Sequence, residues 1–181
     1  LLFTLWSFIM AKGLPRSKNR GSKQLDDILK QTLRIRGQAI TVDGLTGIGF
    51  GSSTLGGLPE GNILFFGAVA YVTIRTAAGG IIATFTGAYS LGTTATADST
   101  LSATEINLVP QTTLAAATAG VSPRTRGTSG ATESGVILNN TTNTLRVFLN
   151  LLIDDASISA NAQACTIDAD VVLSYTMMLD N

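Results

Sequence analysis

The stretch GNILFFGAVAYVTIRT, residues 61–76, decides how the rest of the chain is read. It is the longest nearly charge-free apolar run present. Glycine opens and interrupts it, and it falls short of the roughly 20 residues that a membrane-spanning helix needs. Taken as a strand, it places Leu64, Phe66, Ala68, Ala70, Val72 and Ile74 on one face and Ile63, Phe65, Val69 and Tyr71 on the other. A strand wet on one side alternates apolar with polar residues. Here both faces are apolar, so both are expected to be covered, inside a two-sheet sandwich or against a neighbouring subunit.

Working outward, short glycine-spaced runs flank this stretch: GQAITVDG (37–44), GIGFGSSTLGG (47–57) and GGIIATFTGAYSLG (79–92). These read as strands separated by turns. Residues 93–135 are long, rich in small side chains and free of charge from Ile106 to Pro123, with a short strand expected at TEINLV (104–109). A connection of that length usually serves an interface, and it is expected to lie against another subunit. SGVILNNTTNTLRVFLNLLIDD (134–155) reads as a hairpin, with Leu145, Val147, Leu149, Leu151 and Ile153 alternating inward. The final run, CTIDADVVLSYTMML (165–179), places Ile167, Val171, Leu173, Tyr175 and Met177 on one side. About eight antiparallel strands from Gln38 onward, with no βαβ pattern, predict an all-β jelly roll or β-sandwich over residues 37–181.

Ahead of this body, residues 1–21 read as an extended arm, and residues 22–36 as a short amphipathic helix. The helix rests on Leu25, Ile28, Leu29 and Leu33 at helical spacing behind Ser22 as a cap. The first 36 residues carry eight Lys or Arg against two Asp; the whole chain is neutral, so the remainder is acidic. A basic arm on an acidic body points to contact with a polyanion or with an acidic partner surface. The opening LLFTLWSFIM (1–10) has no charged lead-in and no small-residue cleavage pattern, so it is read as an apolar hook and not as a targeting segment. The residues expected to make contact are Leu2, Phe3, Leu5, Trp6, Phe8 and Ile9 in the hook and Lys12, Arg16, Lys18, Arg20 and Lys23 in the arm. Arg124 and Arg126, two apart in SPRTRG, are expected at a subunit contact, since extended backbone projects both the same way.

Chemistry has little to work with here. There is no histidine, and every lysine lies between Lys12 and Lys30, so the β body lacks the usual general bases. The expectation is a protein that is not an enzyme, with no catalytic residues, no metal and no cofactor. The carboxylate pairs Asp154/Asp155 and Asp168/Asp170 lack the loop spacing of a calcium site, and neighbouring arginines account for them. Cys165 shares the alternating face of Ile167, Ala169, Val171 and Leu173, and is read as a small buried hydrophobe. GIGFGSS (47–53) is not followed by the helix that a phosphate loop requires, so it reads as tight turns. Only 13% of residues are charged, which is sparse against the usual quarter and suits a protein that buries its surface in an assembly.

Four segments resemble small head proteins of tailed bacteriophages of marine and aquatic type: GLPEGNILFFGAVAYV (57–72), SLGTTATADSTLSATEINLVP (90–110), AAATAGVSPRTRG (115–127) and LNLLIDDASISA (149–160). The likeness spans roughly residues 45–160. It implies a capsid decoration or cement protein, located on the capsid surface of the virion, that binds the shell of the major capsid protein as a homotrimer or other homo-oligomer, with no membrane partner. It carries over no individual functional residue. Two other readings stay open. One is a small jelly-roll coat protein whose basic arm contacts packaged nucleic acid. The other is a fibre or adhesin module binding glycans through Tyr71, Tyr89 and Tyr175.

Overall fold

The computed structural model describes residues 28–42, 48–76, 84–154 and 163–178. Among them run nine strands and one 3-10 turn. The strands are β1 (Leu29–Val42), β2 (Ile48–Gly57), β3 (Gly61–Thr76), β4 (Thr86–Gly92), β5 (Val109–Leu114), β6 (Thr125–Thr128), β7 (Val136–Asn140), β8 (Arg146–Asp154) and β9 (Gln163–Met178), and the turn is Ala103–Glu105.

The first sheet has the order β1-β9-β3-β6, with β7 also paired to β3; the second has the order β2-β8-β4-β5. Every pairing is antiparallel. β6 and β7 pair with successive parts of β3 and together fill one sheet position, so nine strands occupy eight places. Except for β4 to β5, each connection between those places crosses from one sheet to the other. This is the double Greek key of a jelly roll, and it bears out the expected all-β fold.

The core lies between the two inner faces. The first sheet contributes Ile63, Phe65, Ala70, Val72, Ile74, Ile167, Val171 and Leu173, and the second contributes Tyr89, Leu91, Val147, Leu149, Leu151 and Ile153, all almost wholly excluded from water. Burying one such large side chain contributes about 1.5–3 kcal/mol, which is why the long apolar strands β3, β8 and β9 sit centrally. Tyr89 spans the layers: its hydroxyl lies 3.2 Å from the carbonyls of both Ala70 and Thr125.

Four sequence expectations are corrected. The helix expected over 22–36 is a strand from Leu29 onward, while residues 22–27 lie outside the described residues. Its leucines fit a helical period, but Gln31, Leu33 and Ile35 also alternate towards the core, and a 14-residue strand laddered to β9 outweighs a weak local helix preference. The β body therefore includes residues 29–36. The hairpin expected over 134–155 is two strands in different sheets: β7 pairs with β3, and β8 with β2 and β4. The buried Asn140 fixes this crossing. Its amide donates to the carbonyls of Leu58 (2.9 Å) and Pro59 (2.8 Å), and its oxygen accepts from the Leu145 N–H (2.8 Å).

The two faces assigned to β3 exchange partway along. Gly67, at φ +144°, forms a bulge opposite β9, so Ile63 and Phe65 point inward before it, and Ala68, Ala70, Val72 and Ile74 after it. Finally, of TEINLV only Val109 belongs to a strand, and its start is taken up by the 3-10 turn.

Candidate interaction surface

The two outer faces of the sandwich are finished differently. The outer face of the second sheet is covered by the chain's own β4–β5 connection, held by side chains that β4 and β8 present outward. Asn150, fully buried, accepts from the Thr96 N–H (2.9 Å) and donates to the carbonyls of Thr94 (3.0 Å) and Glu105 (2.9 Å). Ser90 donates to the same Glu105 carbonyl (2.7 Å), and Leu101 is buried beneath the connection. The long connection expected against another subunit thus packs, over residues 93–108, on its own sheet.

Among the described residues, no segment covers the outer face of the first sheet, and this face divides into two halves. All the large hydrophobic side chains that are exposed among the described residues lie on strands of this sheet: Ile28 and Leu29 at the start of β1, Phe66 and Tyr71 on β3, Val136 and Ile137 on β7, and Met178 on β9; Tyr71 belongs to the charged half, and the register sets Leu29 opposite Tyr175 and Val136 opposite Phe65, on the inner side. Strand alternation places Leu64, Phe66, Ile137 and Met178 outward, because Ile63, Phe65 and Leu138 are buried and Met177 packs on the core. Beside them lies a shallow dish of about 260 Å³, where the Gly67 bulge meets the interruption between β6 and β7; Phe66, Val69 and Val172 line it with the hydroxyls of Ser129, Ser134 and Ser174.

The other half is a ladder of ion pairs built on the outward positions of β9. Asp170 meets Arg36 at 2.7 Å, Arg124 at 2.9 Å and Arg34 at 3.7 Å, and Asp168 meets Arg75 at 3.2 Å. Asp168 also accepts from the Gly37 N–H (2.8 Å), at a bulge of β1 where glycine adopts φ +60°. That backbone N–H, helped by Arg75, lowers the Asp168 carboxyl below its ordinary value; Arg36, followed by the other arginines, does the same for Asp170. Arg124 stacks its guanidinium 4.8 Å from the centre of the Tyr71 ring. Lys30, Arg34, Arg36, Arg75, Arg124 and Arg126 lie on this sheet against the two aspartates, and of the described lysines and arginines only Arg146 lies elsewhere. The face is therefore cationic, while each pair is exposed and contributes little by itself.

Of the sequence-predicted contact residues, Leu2, Phe3, Leu5, Trp6, Phe8, Ile9, Lys12, Arg16, Lys18, Arg20 and Lys23 lie outside the described residues. Arg124 and Arg126 flank Tyr71 on the open face, as extended backbone predicted. Arg124 pairs with Asp170 of its own chain and keeps 58% of its side chain exposed. Arg126, also exposed, has no carboxylate in ion-pair range among the described residues. Arginines do neighbour Asp168 and Asp170, as expected, but two of them, Arg34 and Arg36, come from the segment expected to be a helix, and Asp154 has no ion pair among the described residues. The apolar half was not singled out, because only the Gly67 bulge turns Phe66 outward. The three tyrosines form no common platform: Tyr89 and Tyr175 are buried, and only Tyr71 reaches the surface. Cys165 is wholly buried, and burial pushes its thiol up to about 11.

No family model and no curated protein matches the chain. Among solved structures, a chain from "Structure of infectious bursal disease virus Gx strain" is similar at a TM-score of 0.39 with 10% identity. The match covers 83% of this chain and spans about a third (32%) of that one.

Proposed function

We propose that this chain is a structural protein of a virus particle, a jelly-roll domain that works by contact with a protein shell, and in its finer form a decoration or cement protein on the capsid surface. The observation that carries the reading is the unequal finish of the two outer faces. One is sealed by the chain's own connection; the other is left open, with its exposed hydrophobics beside a cationic arginine ladder. Monomeric soluble proteins rarely leave apolar side chains gathered on one face, and such faces mark interaction sites. Jelly rolls serve viral capsids, lectins and cupins alike, so fold alone does not choose among them. The buried Tyr89 and Tyr175 remove the aromatic platform that a glycan-binding module would use.

A second reading, a coat subunit whose basic arm contacts the genome, is favoured by one observation: the basic residues 12–23 precede in sequence β1, a strand of the cationic sheet. Phosphate contacts release counterions, so binding to nucleic acid would weaken steeply with salt. The full chain is mixed with emptied shells and, separately, with single-stranded nucleic acid, and each mixture is sedimented at low and high salt. Co-sedimentation with emptied shells supports the decoration reading, and salt-sensitive co-sedimentation with nucleic acid supports the coat reading. Deleting residues 1–21 is expected to abolish shell binding, and undiminished binding by that truncation refutes a role for the arm.

A further inference from the structure

We infer that the apolar half of the open face is the seat of the chain's own N-terminal decamer, Leu1–Met10. This goes beyond the shell-binding reading, because it concerns the free chain before any particle is met. Three observations converge on it. First, the described residues begin at Ile28, which is 58% exposed at the end of β1 that the register sets level with Leu64 and Ile137, so the tether is anchored on this half of the face. Second, eight of the ten residues in LLFTLWSFIM are large and apolar, which matches the chemistry of this half of the face and not of the arginine half. Third, the reach is sufficient. Residues 11–27 separate the decamer from Ile28 and span up to about 3.5 Å each when extended. The far side of the patch, on β7, lies only three strand spacings of about 4.8 Å from β1. A tether of this length holds its ligand at roughly millimolar effective concentration, above what a separate copy reaches in dilute solution. The dish between Phe66, Val69 and Val172 has room for one large side chain, and Trp6 is the largest the decamer brings.

Trp6 is the only tryptophan in the chain, so its fluorescence reports on this seat directly. In the full-length protein its emission is expected to be blue-shifted relative to free N-acetyltryptophanamide, shielded from acrylamide and unchanged by dilution. Phe66→Glu and Ile137→Glu, both at exposed positions, are each expected to move the emission to the free-indole value while the far-UV circular dichroism of the β body stays constant. The inference is overturned by solvent-exposed emission in the unmodified chain, or by a blue shift that neither substitution moves. A blue shift lost on dilution also overturns it, since the decamer would then be donated by another copy. So does a dimer dissolved by Phe66→Glu while Trp6 remains exposed, which places a second copy on the face. None of these readouts involves a shell, so failure here and failure of the shell-binding reading are separately visible.

Discussion

Replacing Asn150 by alanine tests how the second sheet is closed. The amide makes three hydrogen bonds to the β4–β5 connection, and the side chain is fully buried. A net contribution of about 0.5–1.5 kcal/mol per bond gives a loss of about 1.5–4.5 kcal/mol, since the Thr96 N–H is left without its acceptor in a buried position. For a chain of this length about 1 kcal/mol moves the melting midpoint by roughly 2–4 °C, so a fall of about 6–12 °C is expected for a mid-range loss of about 3 kcal/mol. The assay is urea unfolding followed by circular dichroism, alongside Asn139→Ala. Asn139 is exposed and bonds only locally to Thr141, so its loss is expected to stay within about 0.5 kcal/mol. A second readout is limited digestion with a glutamate-specific protease. Glu105 sits in the turn that Asn150 holds, and Asn150→Ala is expected to accelerate cleavage there more than at Glu60 or Glu133. If Asn150→Ala loses no more stability than the Asn139 control and Glu105 stays protected, the account of the sealed face is wrong.

Four further outcomes follow from the same packing. Tyr89→Phe removes the hydroxyl between the layers and is expected to cost about 0.5–1.5 kcal/mol in urea unfolding. Gly127→Ala is expected to destabilise the protein, because its Cβ would lie 2.7 Å from both the Tyr89 hydroxyl and the Thr112 Oγ, and combining it with Tyr89→Phe should relieve part of that loss in a double-mutant cycle. Asp168 and Asp170 have folded-state values depressed below the ordinary 3.8, so the stability they contribute is present above 3.8 and lost as pH falls through the depressed values. The unfolding midpoint of Asp168→Asn/Asp170→Asn should therefore decline less below pH 3.8 than that of the unmodified chain, and parallel acid limbs would count against the ladder. Cys165, protonated at neutral pH and enclosed between the sheets, should react with a thiol reagent only on unfolding; labelling of the native protein at the rate of a free thiol would contradict its burial.

Alternation made most of the fold legible. The inward sets of β8 and β9 follow from period-2 spacing at Val147, Leu149, Leu151, Ile153, Ile167, Val171 and Leu173, because burial on one face of a strand leaves that signature directly. Pairing partners were not legible. Spacing states which side chains point inward but not which strand lies alongside, so β7 and β8 look like a hairpin although they belong to different sheets. Glycine at positive φ was the second blind spot, since Gly67 reverses the phase of β3 without any change in composition. The helix expected over 22–36 fails from Leu29 onward for a related reason: a leucine spacing of four is also an even spacing, and the ladder to β9 decides between the two periods. The charged half of the open face was readable in Asp168, Asp170 and their need for arginine neighbours, but not in Arg34 and Arg36, which the helix reading kept out of the β body. Its apolar half required the bulge.

Under the proposed function, this chain acts by binding a protein shell. The most direct test is analytical sedimentation of the purified full-length chain with emptied shells of particles from the same source. The account predicts that the protein moves with the shells and saturates at a fixed stoichiometry to the shell subunit. A chain that remains a slow monomer in the presence of shells, at concentrations where it is fully folded, would contradict it.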